Sequence, residues 1–294
     1  MRSMLLAAIG VLGSGAAPAP KLLTPTDIVA SAPASAWTAI PARDLLVMDL
    51  KNGKRVVIQL APDFAPVHVA NIRALANAGY WAGATIYRVQ DNYVTQWGNN
   101  DSGKPWPKGV VAKPPAEYWR ALKGLAIAPL GSPDAYAPGA GFAAGWPLGY
   151  SPKGGWATLA HCYGTVGVGR GLDPDTGTGG ELYAVNGQAT RHMDRNLAIV
   201  GRVIEGMDQL SALPRGTEAL GFYKDPAAGV LITTIRLASG IAAAGRPAFE
   251  VMDTASPSFA KYLRVRANRN DDFYRHPAGG VDLCSVQVPV RRKG

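Results

Sequence analysis

Few side chains in this 294-residue chain stand where their type and spacing could do chemistry. Arg88 lies inside an apolar run, Thr85 to Val89, that reads as a β-strand. An arginine so placed is either the structural partner of an acid or a cation held for use. Tyr93, Gln96 and Tyr183 sit in or beside similar runs, where the local reading gives core aromatics and a surface amide. The four histidines, His68, His161, His192 and His276, share no ligand spacing with one another or with the two cysteines, which argues against a structural zinc. Gly167-Val-Gly-Arg-Gly171 lacks both the Gly-x-Gly-x-x-Gly spacing and the Lys-Ser/Thr of a phosphate loop. Asp173 to Glu181 has the oxygens of a calcium loop without its bidentate glutamate, and Pro174 is unusual there, so it reads as a turn between strands. No serine, histidine and aspartate carry the signature of a nucleophile elbow.

The elements that would position these residues are mostly strands. Gly (35) and Pro (23) are plentiful while charged residues make up only 17%, which suits a β-rich, turn-rich fold. Asp44 to Leu50 and Arg55 to Leu60 flank Asn52-Gly53, a strong hairpin signal. Pro66 opens a helical segment that Gly79 closes. Short strands are expected at Thr85 to Val89 and Tyr93 to Gln96, then an irregular stretch from 99 to 155 with one short helix at Pro115 to Lys123. The strand pattern returns at Gly164 to Gly169, Glu181 to Val185, Leu197 to Val203 and Val230 to Leu237, with a short helix at Glu205 to Leu213. Beyond 240 only a helix at Pro257 to Tyr262 and a strand at Asp282 to Val290 are expected. Nothing alternates as βαβ, so the elements predict a closed or packed antiparallel sheet with a few helices.

Met1-Arg2, an apolar run from Met4 to Leu12 and small residues to Ala19 read as a secretory signal peptide, 1–19, too short to span a bilayer. Residues 20–43, rich in Ala, Pro, Ser and Thr, read as a linker, 44–239 as the domain and 240–294 as an extension packed on it. Export makes Cys162 and Cys284 a candidate disulfide, with two separate buried thiols as the alternative. The net charge of +9 is scattered, which argues against nucleic acid. Its one loose concentration, Lys261, Arg264, Arg266, Arg269, Arg275, Arg291, Arg292 and Lys293, reads as a solvated basic face, with an anionic surface as the alternative partner.

Three blocks of residues, taken together and in order, resemble the cyclophilin family. They are Ala65 to Leu75 with Gly79 to Val89 and Asn92 to Gly98; Gly164 to Arg170 with Gly177 to Tyr183; and His192 to Asp208. The resemblance spans about residues 44–238 and implies a mainly β fold, a closed eight-stranded antiparallel barrel capped by two helices, here with a long insertion and a C-terminal extension. It also implies peptidyl-prolyl cis-trans isomerase activity without a cofactor, on proline-containing polypeptides; with the export signal at 1–19, the expectation is a periplasmic protein, taken to be a monomer. Position by position, Arg88 matches the catalytic arginine and Gln96 the glutamine of the proline groove. Tyr93, Val94, Tyr183 and Met193 match its apolar wall and floor.

The departures are His192 in place of a tryptophan, Leu197 and Tyr87 in place of histidines, Glu181 in place of a second glutamine and Trp97 in place of a glycine. Glu181, His192 and Leu197 therefore enter as substrate-binding positions with altered chemistry. They leave a second reading open, a proline-peptide-binding or chaperone module of low turnover on the same barrel.

Overall fold

The computed structural model describes residues 22–99, 103–188, 190–225, 228–271 and 273–293; the expected export signal lies outside them. Along the chain run α1 (Pro25–Ser31), β1 (Trp37–Ala39), β2 (Leu45–Leu50), β3 (Arg55–Leu60), α2 (Pro66–Asn77), β4 (Thr85–Val89) and β5 (Val94–Gly98). The insertion holds β6 (Arg120–Ala121), β7 (Ala128–Pro129), β8 (Gly139–Ala143), β9 (Trp146–Ser151) and β10 (Trp156–Leu159). Then come β11 (Thr165–Val168), β12 (Glu181–Val185), β13 (Ile199–Glu205), α3 (Met207–Ser211), β14 (Val230–Leu237), β15 (Phe249–Met252), α4 (Pro257–Ala267) and β16 (Val290–Arg292).

Eight strands close an antiparallel barrel in the order β11-β12-β5-β4-β14-β2-β3-β13. Its hairpin β2–β3 turns on Gly53, which alone takes the left-handed region (φ 79°); Asn52 instead accepts the Lys54 N–H through its side chain (3.1 Å). Leu46, Met48, Leu50, Val56, Ile58 and Leu60 point inward, as the two-residue period of a strand requires. Ile72 and Leu75 of α2 and Leu210 of α3 join them and cap the core.

The outward residues of the same hairpin, Leu45, Val47 and Val57, are also buried. A second layer covers them, drawn from both ends of the chain and from the insertion. Ile28, Trp37 and Ile40 come from the N-terminal segment, Phe142 from the insertion, and Phe249, Met252, Phe259 and Leu283 from the C-terminal segment. In this layer β15 lies between β1 and β16, and β6-β10-β9-β8-β7 form a five-stranded sheet. Cys162 and Cys284 are joined as a disulfide, 122 residues apart in sequence.

Three expectations are corrected. Residues 22–43 are not a linker: Thr24 and Asp27 cap α1 reciprocally, and Ile28, Trp37 and Ile40 are buried anchors amid the Ala, Pro and Ser that suggested flexibility. Pro115 to Lys123 forms no helix. Glu117 there turns its carboxylate to the N–H groups of Val67 and His68 (both 2.9 Å), supplying the cap that Ala65 cannot give α2. Asp282 to Val290 is not a strand, because Asp282 caps a 3-10 turn at Leu283–Ser285 and pairing starts only at Val290.

Candidate active site

On the outer face of the barrel β4, β5 and β12 lie side by side, with Arg88 opposite Gln96 and Gln96 opposite Tyr183. Strand alternation turns Ile86, Trp97, Leu182 and Ala184 into the core and leaves Val94, Gln96, Glu181, Tyr183 and Val185 facing out. A register shift between Ile86 and Arg88 lets two successive residues, Tyr87 and Arg88, leave the core together. Gly167, opposite Tyr183 on β11, has no Cβ because the Tyr183 ring occupies that space. Gly98 makes the same room for the carboxylate of Glu181.

Three bonds aim the Arg88 guanidinium: Nε donates to the Leu220 carbonyl (2.7 Å), Nη1 to Gln96 Oε1 (3.0 Å) and Nη2 to Gln90 Oε1 (2.6 Å). The rings of Tyr93 and Phe222 flank it at 5.6 and 5.4 Å. All these partners are neutral, so the reading of Arg88 as the partner of an acid is set aside. Burial holds its pKa below the ordinary arginine value, and it stays charged at neutral pH. Three bonds leave two of its five N–H groups for a ligand. Gln96 is oriented in turn: its amide donates to Tyr87 Oη (2.7 Å), and Tyr87 donates to Glu181 Oε2 (2.5 Å). Burial and the neighbouring Glu181 push the Tyr87 pKa far up, which keeps that donor protonated.

Beside the arginine, Val94 (3% exposed), Tyr183 (4%), Met193 (5%) and Val185 form a small apolar cluster of their own, with Tyr93 and Leu197 packed at its edge. Tyr93 Oη reaches Met193 Sδ at 3.1 Å, and the exposed His192 ring stacks on Tyr93 at 6.0 Å. All nine residues singled out in the sequence, Arg88, Tyr93, Val94, Gln96, Glu181, Tyr183, His192, Met193 and Leu197, thus meet on one face.

Several neighbours were not foreseen. Gln90, Leu220 and Phe222 hold Arg88, and the last two come from a stretch without strand or helix periodicity. Beneath the floor, His161 Nε2 meets Tyr183 Oη at 2.9 Å while Nδ1 meets Asp194 Oδ1 at 2.9 Å. Arg191 holds Asp194 and pairs through two bonds with Asp134 (2.9 and 3.0 Å). A carboxylate on Nδ1 fixes the proton there, so Nε2 accepts from the Tyr183 hydroxyl. Burial keeps His161 neutral and Tyr183 protonated, consistent with that direction.

The closed antiparallel barrel thus carries on its outer face a cationic donor beside a small apolar cluster. Residues 45–237 match the family model described as cyclophilin type peptidyl-prolyl cis-trans isomerase/CLD, and the chain belongs to that family. A Brucella suis protein named a probable peptidyl-prolyl cis-trans isomerase is 26% identical over 190 residues, 64% of this chain and 81% of its own length. Peptidyl-prolyl cis-trans isomerase B of Bacillus subtilis is 41% identical over 49 residues, 17% of this chain and 34% of its own. The crystal structure of the cyclophilin AquaCyp293 from Hirschia baltica superposes with a TM-score of 0.69 at 24% identity, over 92% of this chain and 98% of that one. That coverage takes in the outer layer as well as the barrel, so the likeness in fold extends beyond residues 45–237.

Proposed function

We propose that this chain rotates X-Pro bonds on the face bearing Arg88, in clients of the cell envelope, as a monomer. The single observation that carries the role of Arg88 is its guanidinium, fixed by three neutral acceptors with two donors to spare beside the Val94–Tyr183–Met193 cluster. The uncatalysed barrier is about 18–20 kcal/mol because the planar amide must lose its conjugation. The prolyl nitrogen becomes pyramidal and basic only in the twisted state, so a donor aimed at it stabilises that state and not the planar ones. Arg88 supplies this donor, Gln96 holds the rotating carbonyl, and the cluster grips the prolyl ring while Tyr93 and His192 line the rim. No nucleophile and no proton transfer is needed.

One charge-assisted hydrogen bond is worth roughly 1.5–3 kcal/mol, so Arg88→Ala should lower kcat/KM about ten- to a hundredfold in a protease-free assay on a proline peptide. Turnover by that variant equal to wild type would remove Arg88 from the mechanism. The low-turnover binding reading is favoured by Leu197 and His192 at the rim; it predicts turnover near background together with micromolar binding of unfolded chains. Export through residues 1–19 is supported by the disulfide, which suits an oxidising compartment.

A further inference from the structure

A cavity of about 490 Å³ lies away from the groove, between β11 and β13 of the barrel and the segment from Tyr262 to Val290. Its size falls in the roughly 300–1,000 Å³ range of small-molecule sites. Its walls are mainly apolar, among them Trp146, Leu159, Ile199, Met207, Val286 and Val288. Two arginines, Arg202 and Arg266, also line it, and among the described residues no aspartate or glutamate does.

Neither cation is neutralised among the described residues. Arg202 gives Nε and Nη2 to Gln59 Oε1 (3.0 and 2.8 Å) and Nη1 to the Gly145 carbonyl (2.8 Å), and its plane lies 4.5 Å from the Trp146 ring. Those acceptors are neutral and leave two N–H groups unused. Burial with no counter-ion pushes its pKa down to about 9, so the charge persists at neutral pH. Arg266, on the last turn of α4, donates to the Ser285 carbonyl, and its Nε is buried without a partner. A half-buried cation served only by neutral groups bears part of the desolvation cost without a counter-charge, and a guanidinium offers its donors in a fork that fits a carboxylate.

We propose that this cavity is a binding site for a small molecule with an apolar body and one carboxylate, held by Arg202 and Arg266. The walls take the body by desolvation, and the carboxylate supplies the missing counter-charge. The site is separate from the proline groove, so occupancy does not compete with a prolyl peptide.

Calorimetric titration of the folded, oxidised full chain with 4-phenylbutyrate and with its neutral isostere 4-phenylbutanamide tests this. The carboxylate is expected to bind about tenfold or more tightly than the amide, a difference of about 1.4 kcal/mol or more, and equally well with the groove saturated by a proline peptide. Arg202→Gln and Arg266→Gln should each bring the carboxylate down towards the amide, with isomerase activity unchanged. Loss of the preference in either variant that circular dichroism shows to be folded supports the site; should Arg202→Gln fail to fold, Arg266→Gln in the last turn of α4 carries the test. Equal binding of the two probes, no binding tighter than about 1 mM, displacement by the proline peptide, or an undiminished preference in the folded variants would overturn it.

Discussion

A phenol buried under an apolar groove needs a hydrogen-bond partner, and Tyr183 has one in His161, which Asp194 orients. His161→Phe should therefore cost about 1–3 kcal/mol in urea unfolding, since it orphans the Tyr183 hydroxyl, whereas His161→Phe with Tyr183→Phe should recover much of the loss. The same histidine sets a pH dependence. Burial, outweighing the pull of Asp194, holds its pKa below 6.5, so the unfolded chain takes up a proton that the folded chain refuses. Its contribution is whole above about pH 6.5 and is lost as the pH falls below it. The urea midpoint should fall between pH 7 and 5, and the double variant should lose that part of the slope; an unchanged slope would mean that folding does not shift the His161 pKa. Asp49 and Asp175 are held below 3.8 and act in a more acidic window. Of this face, the residues on strands were legible because strand order fixes which of them share a side. His161 and Asp194 were not, because their link to Tyr183 spans separate blocks and neither lies in a periodic run.

At the scale of elements, the two features that shape the site break local rules. The shift at Tyr87 lets two neighbours face outward, and the sequence marks it only by Tyr-Arg interrupting the alternation of Ile86 and Val89. The start of α2 is capped by Glu117, 50 residues from Val67 along the chain, so no local motif shows it. Glu117→Ala should cost about 1–2 kcal/mol and speed amide exchange in the first turn of α2; exchange unchanged there would deny the cap its role. The hairpin β2–β3 carried a further sign. Its runs Leu45-Leu-Val-Met48 and Val56-Val-Ile58 are apolar without alternation, as strands buried on both faces are. That pattern called for an outer layer, and the loose composition of residues 20–43 concealed where part of it comes from.

For the molecule as a whole, the barrel and its outer layer share one wall. A chain ending at residue 239 would bare Leu45, Val47 and Val57, so it should bind a hydrophobic dye and aggregate, while the full chain stays monomeric in light scattering. The Cys162–Cys284 bond closes a span of 122 residues, for which chain entropy gives about 5 kcal/mol and observed bridges give about 2–4. Reduction should lower the urea midpoint accordingly, and the denatured oxidised protein should show no thiol to a titrant.

The three-stranded sheet β1-β15-β16 pairs the first described strand of the chain with β15, a segment more than 200 residues later. Synthesis and delivery proceed from the N-terminus, so Trp37 and the outward side of the hairpin wait, bare, until residues beyond 249 arrive. Residues 249 to 292 thus close the apolar wall that Trp37 and the hairpin leave open. A copy in which that segment has not yet docked presents an uncovered apolar wall, the kind of surface that chaperones and proteases act on in partly folded chains.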